Sequence, residues 1–90
     1  MSKLSKSEFE RTVYSVAGDM PQVLNVTING FRVDITFESN SRKTHWDAYL
    51  NFDEVTGNYT YTPLYRGVSP TLPWVFGNEI SSRIKEILNN

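Results

Sequence analysis

Hydrophobic and polar residues alternate through the stretch LNVTINGFRVDITFE, Leu24–Glu38. Such alternation is typical of β-strands that bury one face. Asn29 and Gly30 interrupt it, and because both residues tolerate positive φ they predict a type I′ turn between two strands. The cross-strand pairs expected from this turn are Ile28 with Phe31, Val26 with Val33 and Leu24 with Ile35. All apolar side chains then share one face of the sheet, and the other face is polar.

The stretch THWDAYLNFD, Thr44–Asp53, alternates in the same way and predicts a third strand. Matching its apolar face to the preceding strand pairs Phe37 with Trp46 and Phe31 with Phe52. The turn between these two strands then has a length that hairpins commonly use.

A further turn is predicted at Glu54–Gly57, with Gly57 as the left-handed residue. It places Phe52 opposite Tyr59 in a short fourth strand, Asn58–Thr62. This strand stops before a proline, as an edge strand can.

Two segments carry apolar residues at helical spacing. Ser5 and Glu8 have the spacing of a capping box, which predicts a helix over Lys6–Ala17. Gly18 suits the left-handed position that ends many helices.

The second helix is predicted to start at Pro73, a residue favoured in the first helical turn. Gly77 lies on its apolar side and would allow a close approach to the sheet. The apolar stripe of this helix consists of Phe76, Ile80, Ile84, Ile87 and Leu88.

The element order is therefore α-β-β-β-β-α. One apolar sheet face and two apolar helix stripes favour a two-layer arrangement with both helices on that face. We predict a single α+β domain over residues 1–90, with a four-stranded antiparallel meander and N- and C-terminal helices on one face. Its aromatic centre is expected to contain Phe9, Phe37, Trp46, Phe52 and Phe76.

Composition narrows the classes of function. The chain has 90 residues, of which 39% are hydrophobic and 21% charged, as in soluble globular proteins. It contains no cysteine, so we expect no disulfide and a cytoplasmic location. The formal net charge is −1, so nucleic acid is not an expected partner. No apolar run is long enough for a membrane span, and the first residues lack a signal-peptide core, so no membrane association is expected.

The sequence shows no catalytic constellation. His45 is the only histidine, which argues against a catalytic triad or an imidazole metal cluster. We therefore predict no enzymatic activity, no cofactor and no metal site. The alternative is an enzyme or a small-ligand or metal-binding protein that uses the open polar sheet face. The residues of that candidate site are Asp34, Glu38, His45, Asp47 and Tyr49.

The stretch PLYRGVSPTLPW, Pro63–Trp74, contains three prolines and no periodicity, which predicts a stiff loop. Tyr, Trp and Arg are enriched where proteins bind one another. The first strand adds a second candidate surface, because it has no proline or lysine to protect an edge. These features favour a small noncatalytic interaction module that binds a protein partner or self-associates through the loop or an edge strand. The candidate partner-binding residues are Tyr65, Arg66, Trp74 and Val75.

Overall fold

Two helices cover one face of a four-stranded antiparallel sheet in this structure, a computed structural model. The structure describes residues 3–38, 45–63 and 72–89. In chain order the elements are α1 (Lys6–Gly18), β1 (Val23–Asn29), β2 (Arg32–Glu38), β3 (His45–Phe52), β4 (Tyr59–Pro63) and α2 (Leu72–Leu88). The strand order β1-β2-β3-β4 confirms the predicted α-β-β-β-β-α fold. Neither helix in the described ranges combines the length and the apolar composition that a bilayer crossing requires.

Ser5 is the N-cap of α1, as the sequence predicted. The Ser5 hydroxyl accepts a hydrogen bond from the backbone N–H of Glu8 at 3.2 Å and donates one to the Glu8 carboxylate at 3.0 Å. Leu4 and Phe9, which flank the cap, are both buried. The cap provides an acceptor for one of the free N–H groups at the start of the helix, and the buried Leu4 and Phe9 fix the direction in which the chain enters the helix.

The end of α1 differs from the prediction. Gly18 belongs to the helix and does not have a positive φ, and the cap residue Asp19 is right-handed with φ −85°. The N–H of Asp19 donates to the carbonyl of Val16 at 3.1 Å, and that of Met20 donates to Ala17 at 3.2 Å. Because these tighter bonds satisfy the last carbonyls, the helix ends without a left-handed glycine.

The predicted register of the first hairpin is wrong. Asn29 pairs with Arg32, so the two loop residues are Gly30 and Phe31. Gly30 has φ +65° at the first loop position, where glycine is favoured in type II′ turns. The observed pairs are Ile28 with Val33 and Val26 with Ile35. The pairing is shifted by two residues, which keeps the apolar side chains on the predicted face.

A β-bulge interrupts β1 near its start. Val23 lies opposite Phe37 and Asn25 lies opposite Thr36, so Leu24 has no cross-strand partner. Leu24 is 45% exposed and does not occupy its predicted place in the core. Because a bulge adds one residue to one strand, it changes the alternation that predicted the position of Leu24.

The remaining registers are those predicted. Phe37 pairs with Trp46, and Phe52 pairs with Tyr59. The N–H of Phe52 donates to the carbonyl of Phe31 at 2.9 Å, in line with the predicted pairing of these two residues. The strand β4 begins at Tyr59, one residue later than predicted.

A tight loop joins β3 to β4. The carboxylate of Asp53 accepts hydrogen bonds from the N–H groups of Val55 at 2.7 Å and Thr56 at 3.1 Å. These bonds favour the ionised form and hold the pKa of Asp53 below its ordinary value. Gly57 has φ +80°, which confirms the predicted left-handed residue.

Aromatic rings fill the space between the sheet and the helices. Phe9 lies at the centre, with its ring centroid 5.0 Å from that of Phe31 and 5.4 Å from that of Phe52. The predicted aromatic centre is confirmed for Phe9, Phe37, Phe52 and Phe76, which are buried. Trp46 is only partly buried and packs against the edge of this core.

The helix α2 lies close to β4 at Gly77. A Cβ atom at Gly77 would lie 2.6 Å from Cε2 of Tyr59, far inside van der Waals contact. The Tyr59 hydroxyl lies 2.6 Å from Oδ1 of Asn78 and 3.3 Å from the carbonyl oxygen of Trp74. The hydroxyl is thereby tied to α2, and a Cβ atom at position 77 fits only if the Tyr59 ring moves away.

Arg83 joins the two helices. Its Nε lies 3.0 Å from the carboxylate of Glu79, its Nη1 lies 3.0 Å from Oγ of Ser15, and its Nη2 lies 3.3 Å from the carboxylate of Asp19. The hydrogen bond to Glu79 is the main reason that the pKa of Arg83 is raised. The guanidinium group therefore bridges α1 and α2 at the surface.

Candidate functional site

The first strand, β1, forms one edge of the sheet. It is seven residues long, pairs only with β2 within the described residues, and contains neither proline nor a charged side chain. Edge strands usually carry such residues because unpaired backbone groups invite another strand. The edge of β1 lacks this protection, apart from the bulge at Leu24.

The hydrogen bond from Phe52 to Phe31 shows which backbone groups of β1 point outward. Backbone groups in an antiparallel sheet alternate between the two neighbouring strands. Since Phe31 bonds to β3, Arg32 and every second residue after it bond to β1. Their partners in β1 are Asn25, Thr27 and Asn29. The N–H and C=O groups of Val26 and Ile28 therefore point away from the sheet.

The side chains of β1 are also incompletely covered. Val23, Val26 and Ile28 face the core but are only partly buried, whereas Val33 and Ile35 of β2 are fully buried. On the opposite face, the side chains of β1 are neutral amides and hydroxyls. Among the residues that the structure describes, the strand thus has apolar surface and backbone groups without a partner along one edge.

The other edge of the sheet differs from β1. The strand β4 has five residues and ends at Pro63, which has no N–H to donate. By the same alternation of backbone bonds, its outward donors are the N–H groups of Tyr59 and Tyr61. This edge is shorter and stops at a residue that cannot continue a ladder.

Two predicted partner-binding residues lie at the start of α2. Trp74 is 47% exposed and Val75 is 55% exposed. The ring of Trp74 stands edge-on to Tyr61 with 5.0 Å between centroids, and lies 6.1 Å from the ring of Tyr59. Burial raises the pKa of both tyrosines. The other two predicted residues, Tyr65 and Arg66, lie outside the described residues, as does most of the Pro63–Trp74 loop.

Two aspartates on the open sheet face are hydrogen-bonded to neighbouring side chains. Nε of Arg32 lies 2.8 Å from Oδ1 of Asp34, and the Thr36 hydroxyl donates to Asp47 at 2.7 Å. The guanidinium carbon of Arg32 lies 4.0 Å from the centroid of the Tyr49 ring. The hydrogen bond to Asp34 is the main reason that the pKa of Arg32 is raised. The two carboxylates are therefore held by neighbouring side chains.

Glu38 and His45 are directly opposite each other, as the predicted register requires. Asp34 and Asp47 belong to other cross-strand pairs, opposite Tyr49 and Thr36. Within the described ranges, no three His, Cys, Asp or Glu side chains come close enough to hold a metal ion. The five residues of the predicted open-face site share one face of the sheet and are distributed over three different cross-strand pairs.

Sequence reasoning missed the features that define the β1 edge most sharply. It placed Leu24 in the core and did not identify Val26 and Ile28 as the residues with outward backbone groups. The correct turn position, with Gly30 first in the loop, would have predicted both the pairing and the outward residues. Comparison of the chain with models of protein families, with curated proteins and with solved structures finds no match.

Proposed function

We propose that the protein is a noncatalytic interaction module that binds an extended protein segment along the free edge of β1. The observation that carries this proposal is the unprotected edge at Val26 and Ile28, with its outward backbone groups and partly covered aliphatic side chains. Backbone hydrogen bonds supply affinity in strand addition, and the alternating side chains supply selectivity.

The edge of β1 supports this function better than the other surfaces do. The strand β4 is shorter and ends at Pro63. At the start of α2, Trp74 and Val75 are exposed, but their predicted companions Tyr65 and Arg66 lie outside the described residues. Binding through the Pro63–Trp74 loop therefore stays a prediction from the sequence.

A noncatalytic role agrees with the chemistry of the open face. Hydrogen bonds from Arg32 and Thr36 engage the carboxylates of Asp34 and Asp47, so both groups already serve as acceptors within the sheet face. A cytoplasmic location is part of the same proposal, and it rests on the absence of cysteine from the chain.

The proposal is tested by blocking the edge without disturbing the sheet. Val26→Pro removes an N–H that points outward, so the ladder between β1 and β2 keeps its hydrogen bonds. Val26→Ala is the matched control, because it loses similar side-chain packing but retains the N–H. A displayed library of random heptapeptides is selected on the wild-type protein, and the enriched peptides are measured against both variants.

We expect enriched peptides that bind the wild-type protein and Val26→Ala but not Val26→Pro. Circular dichroism and thermal unfolding of both variants show whether they retain the fold. If Val26→Pro does not fold, Thr27→Lys replaces it, since a lysine on an edge strand also opposes strand addition. Peptides that bind all variants equally, or no enrichment on the wild-type protein, would contradict the proposal.

A further inference from the structure

The regular part of β1 is symmetric about its centre. After the bulge at Leu24, the pairing with β2 is uninterrupted over Asn25–Asn29, and Thr27 is the middle residue. Val26 and Ile28 lie one position to either side of it, and both have outward backbone groups. From this symmetry we infer that the segment bound at β1 is β1 of a second copy of the chain, in an antiparallel two-fold dimer. This inference rests on the proposed function, since both use the same edge.

The antiparallel register centred on Thr27 aligns the groups that can bond. Val26 of one copy lies opposite Ile28 of the second, and each residue directs its N–H and C=O toward the other. An antiparallel pair of this kind exchanges two hydrogen bonds, and the two-fold axis generates a second pair. All outward backbone groups of Val26 and Ile28 are then used, and the two sheets become one.

The side chains on both faces suit this register. On the core face, the partly buried Val26 and Ile28 meet the same residues of the second copy, which removes more of their apolar surface from water. On the open face, Thr27 lies opposite Thr27, and Asn25 lies opposite Asn29. Threonine pairs of this kind stabilise neighbouring strands.

The charge distribution allows two copies to approach. The strand β1 carries no charged residue, so its antiparallel pairing places no like charges opposite each other. The chain as a whole has a formal net charge of −1, so long-range repulsion between two copies is small. Charged residues are depleted at the centre of protein interfaces, and the uncharged β1 strand is consistent with such a position.

The two-fold register is tested by charges at its centre. Thr27 is exposed and faces its own copy across the axis, so Thr27→Lys or Thr27→Glu places like-charged side chains directly opposite each other, with their Cβ atoms about 4.5–5.5 Å apart. Each single variant is expected to weaken the dimer by about tenfold or more at low salt, because like charges directly opposite destabilise a strand pair. A mixture of the two variants is expected to restore the dimer, as a heterodimer in which the two charges at the axis have opposite signs. Sedimentation velocity over a range of protein concentrations measures each species.

The matched control uses the opposite edge of the same face. Thr60 is exposed on β4, so Thr60→Lys and Thr60→Glu introduce the same charges away from the proposed axis. These variants are expected to dimerise as the wild-type chain does. Hydrogen exchange is expected to slow at the amides of Val26 and Ile28 as the protein concentration rises.

Two results would overturn the inference. One is a wild-type chain that sediments as a monomer at the highest concentration reached. The other is a dimer that responds to charge at Thr60 but not at Thr27. If peptides bind at β1 while the chain remains monomeric, the dimer is refuted and the proposed function stands. If the dimer forms through β4, the inference of a β1 dimer is refuted. The peptide selection then tests the proposed function by itself.

Discussion

Replacing Gly77 with alanine tests the close contact between α2 and β4. In an exposed helix this substitution stabilises by about 1 kcal/mol, because alanine restricts the unfolded chain and favours the helix. Here the new methyl group would lie 2.6 Å from Cε2 and 2.7 Å from Cζ of Tyr59. The sign of the effect therefore depends on whether the tyrosine ring can move away.

The surroundings of Tyr59 hold the ring in place. Its hydroxyl is hydrogen-bonded to Asn78 at 2.6 Å, and its ring centroid lies 5.4 Å from that of Phe52 on one side and 6.1 Å from that of Trp74 on the other. Overpacking costs about 1–3 kcal/mol, and a lost hydrogen bond costs about 0.5–1.5 kcal/mol. After subtracting the gain in helix propensity, Gly77→Ala is expected to destabilise the protein by about 0.5–3.5 kcal/mol, which lowers Tm by about 2–28 °C in a domain of this size.

Thermal and urea unfolding, followed by circular dichroism, measure the effect. Gly18→Ala is the matched control, because a Cβ at Gly18 meets nothing within 4 Å and this glycine is also helical. It is expected to raise stability by a few tenths to about 1 kcal/mol. In a Tyr59→Val background, where the ring is absent, Gly77→Ala is expected to become stabilising.

Two outcomes would refute this reasoning. If Gly77→Ala raises Tm as Gly18→Ala does, the helix does not approach Tyr59 as closely as described. If Gly77→Ala destabilises equally with and without the Tyr59 ring, the ring is not the cause, since a contact of this kind should appear as coupling in the double-mutant cycle.

Three further predictions concern the core, a turn and the tyrosines. Phe52→Ala is expected to cost about 3–5 kcal/mol, because it leaves a cavity beside Phe9, and a chain that unfolds at nearly the wild-type urea concentration would contradict this. Gly57→Ala is expected to lower stability by about 1–3 kcal/mol, because alanine disfavours φ +80° and its methyl group would lie 3.0 Å from Cγ of Lys85. An unchanged Tm would contradict this prediction. Burial raises the pKa of Tyr59 and Tyr61 in the folded protein. The stability that comes from keeping both phenols neutral is therefore fully present below a pH of about 10, the pKa in the unfolded chain. It is lost as the pH rises through the pKa values of the folded protein. Tyrosinate absorbance should therefore appear at lower pH in urea than in buffer, and coincident titrations would contradict the prediction.

Much of the sheet was predictable because each strand alternates and each loop is short. The pairs Phe37–Trp46 and Phe52–Tyr59 followed from matching apolar faces, and the structure shows both. The order of helices and strands followed from the capping box and from the change between helical and strand spacing. These signals are local, so a single sequence contains them.

The first hairpin shows where such signals are insufficient. Registers that differ by two residues place the same side chains in the core, so alternation does not distinguish them. The turn decides, and the pair Asn29-Gly30 suggested one turn whereas Gly30-Phe31 forms another. In the observed turn Phe31 packs its ring 5.0 Å from Phe9, a contact between distant parts of the chain that a local pattern does not contain.

The candidate sites were predictable to different degrees. The sequence showed that β1 lacks proline and lysine, and the predicted meander placed this strand at an edge, which the sheet order confirms. The open-face residues were correctly assigned to one face of the sheet. Their hydrogen bonds, such as those from Arg32 to Asp34 and from Thr36 to Asp47, depend on side-chain orientation, which the sequence pattern does not contain. The contacts from Arg83 to Ser15 and Asp19 also escaped prediction, because they join helices far apart in the sequence.

The proline at the end of β4 bears on whether strand pairing would propagate. A sheet with two receptive edges can add copies at both ends and grow into a filament. Here β1 contains neither proline nor a charged residue, whereas β4 ends at Pro63 after five residues. Pairing that occupies β1 in both copies leaves the combined sheet with β4 at each end, so assembly closes after one step. Replacing Pro63 with a strand-forming residue such as valine would remove part of this barrier to fibre formation.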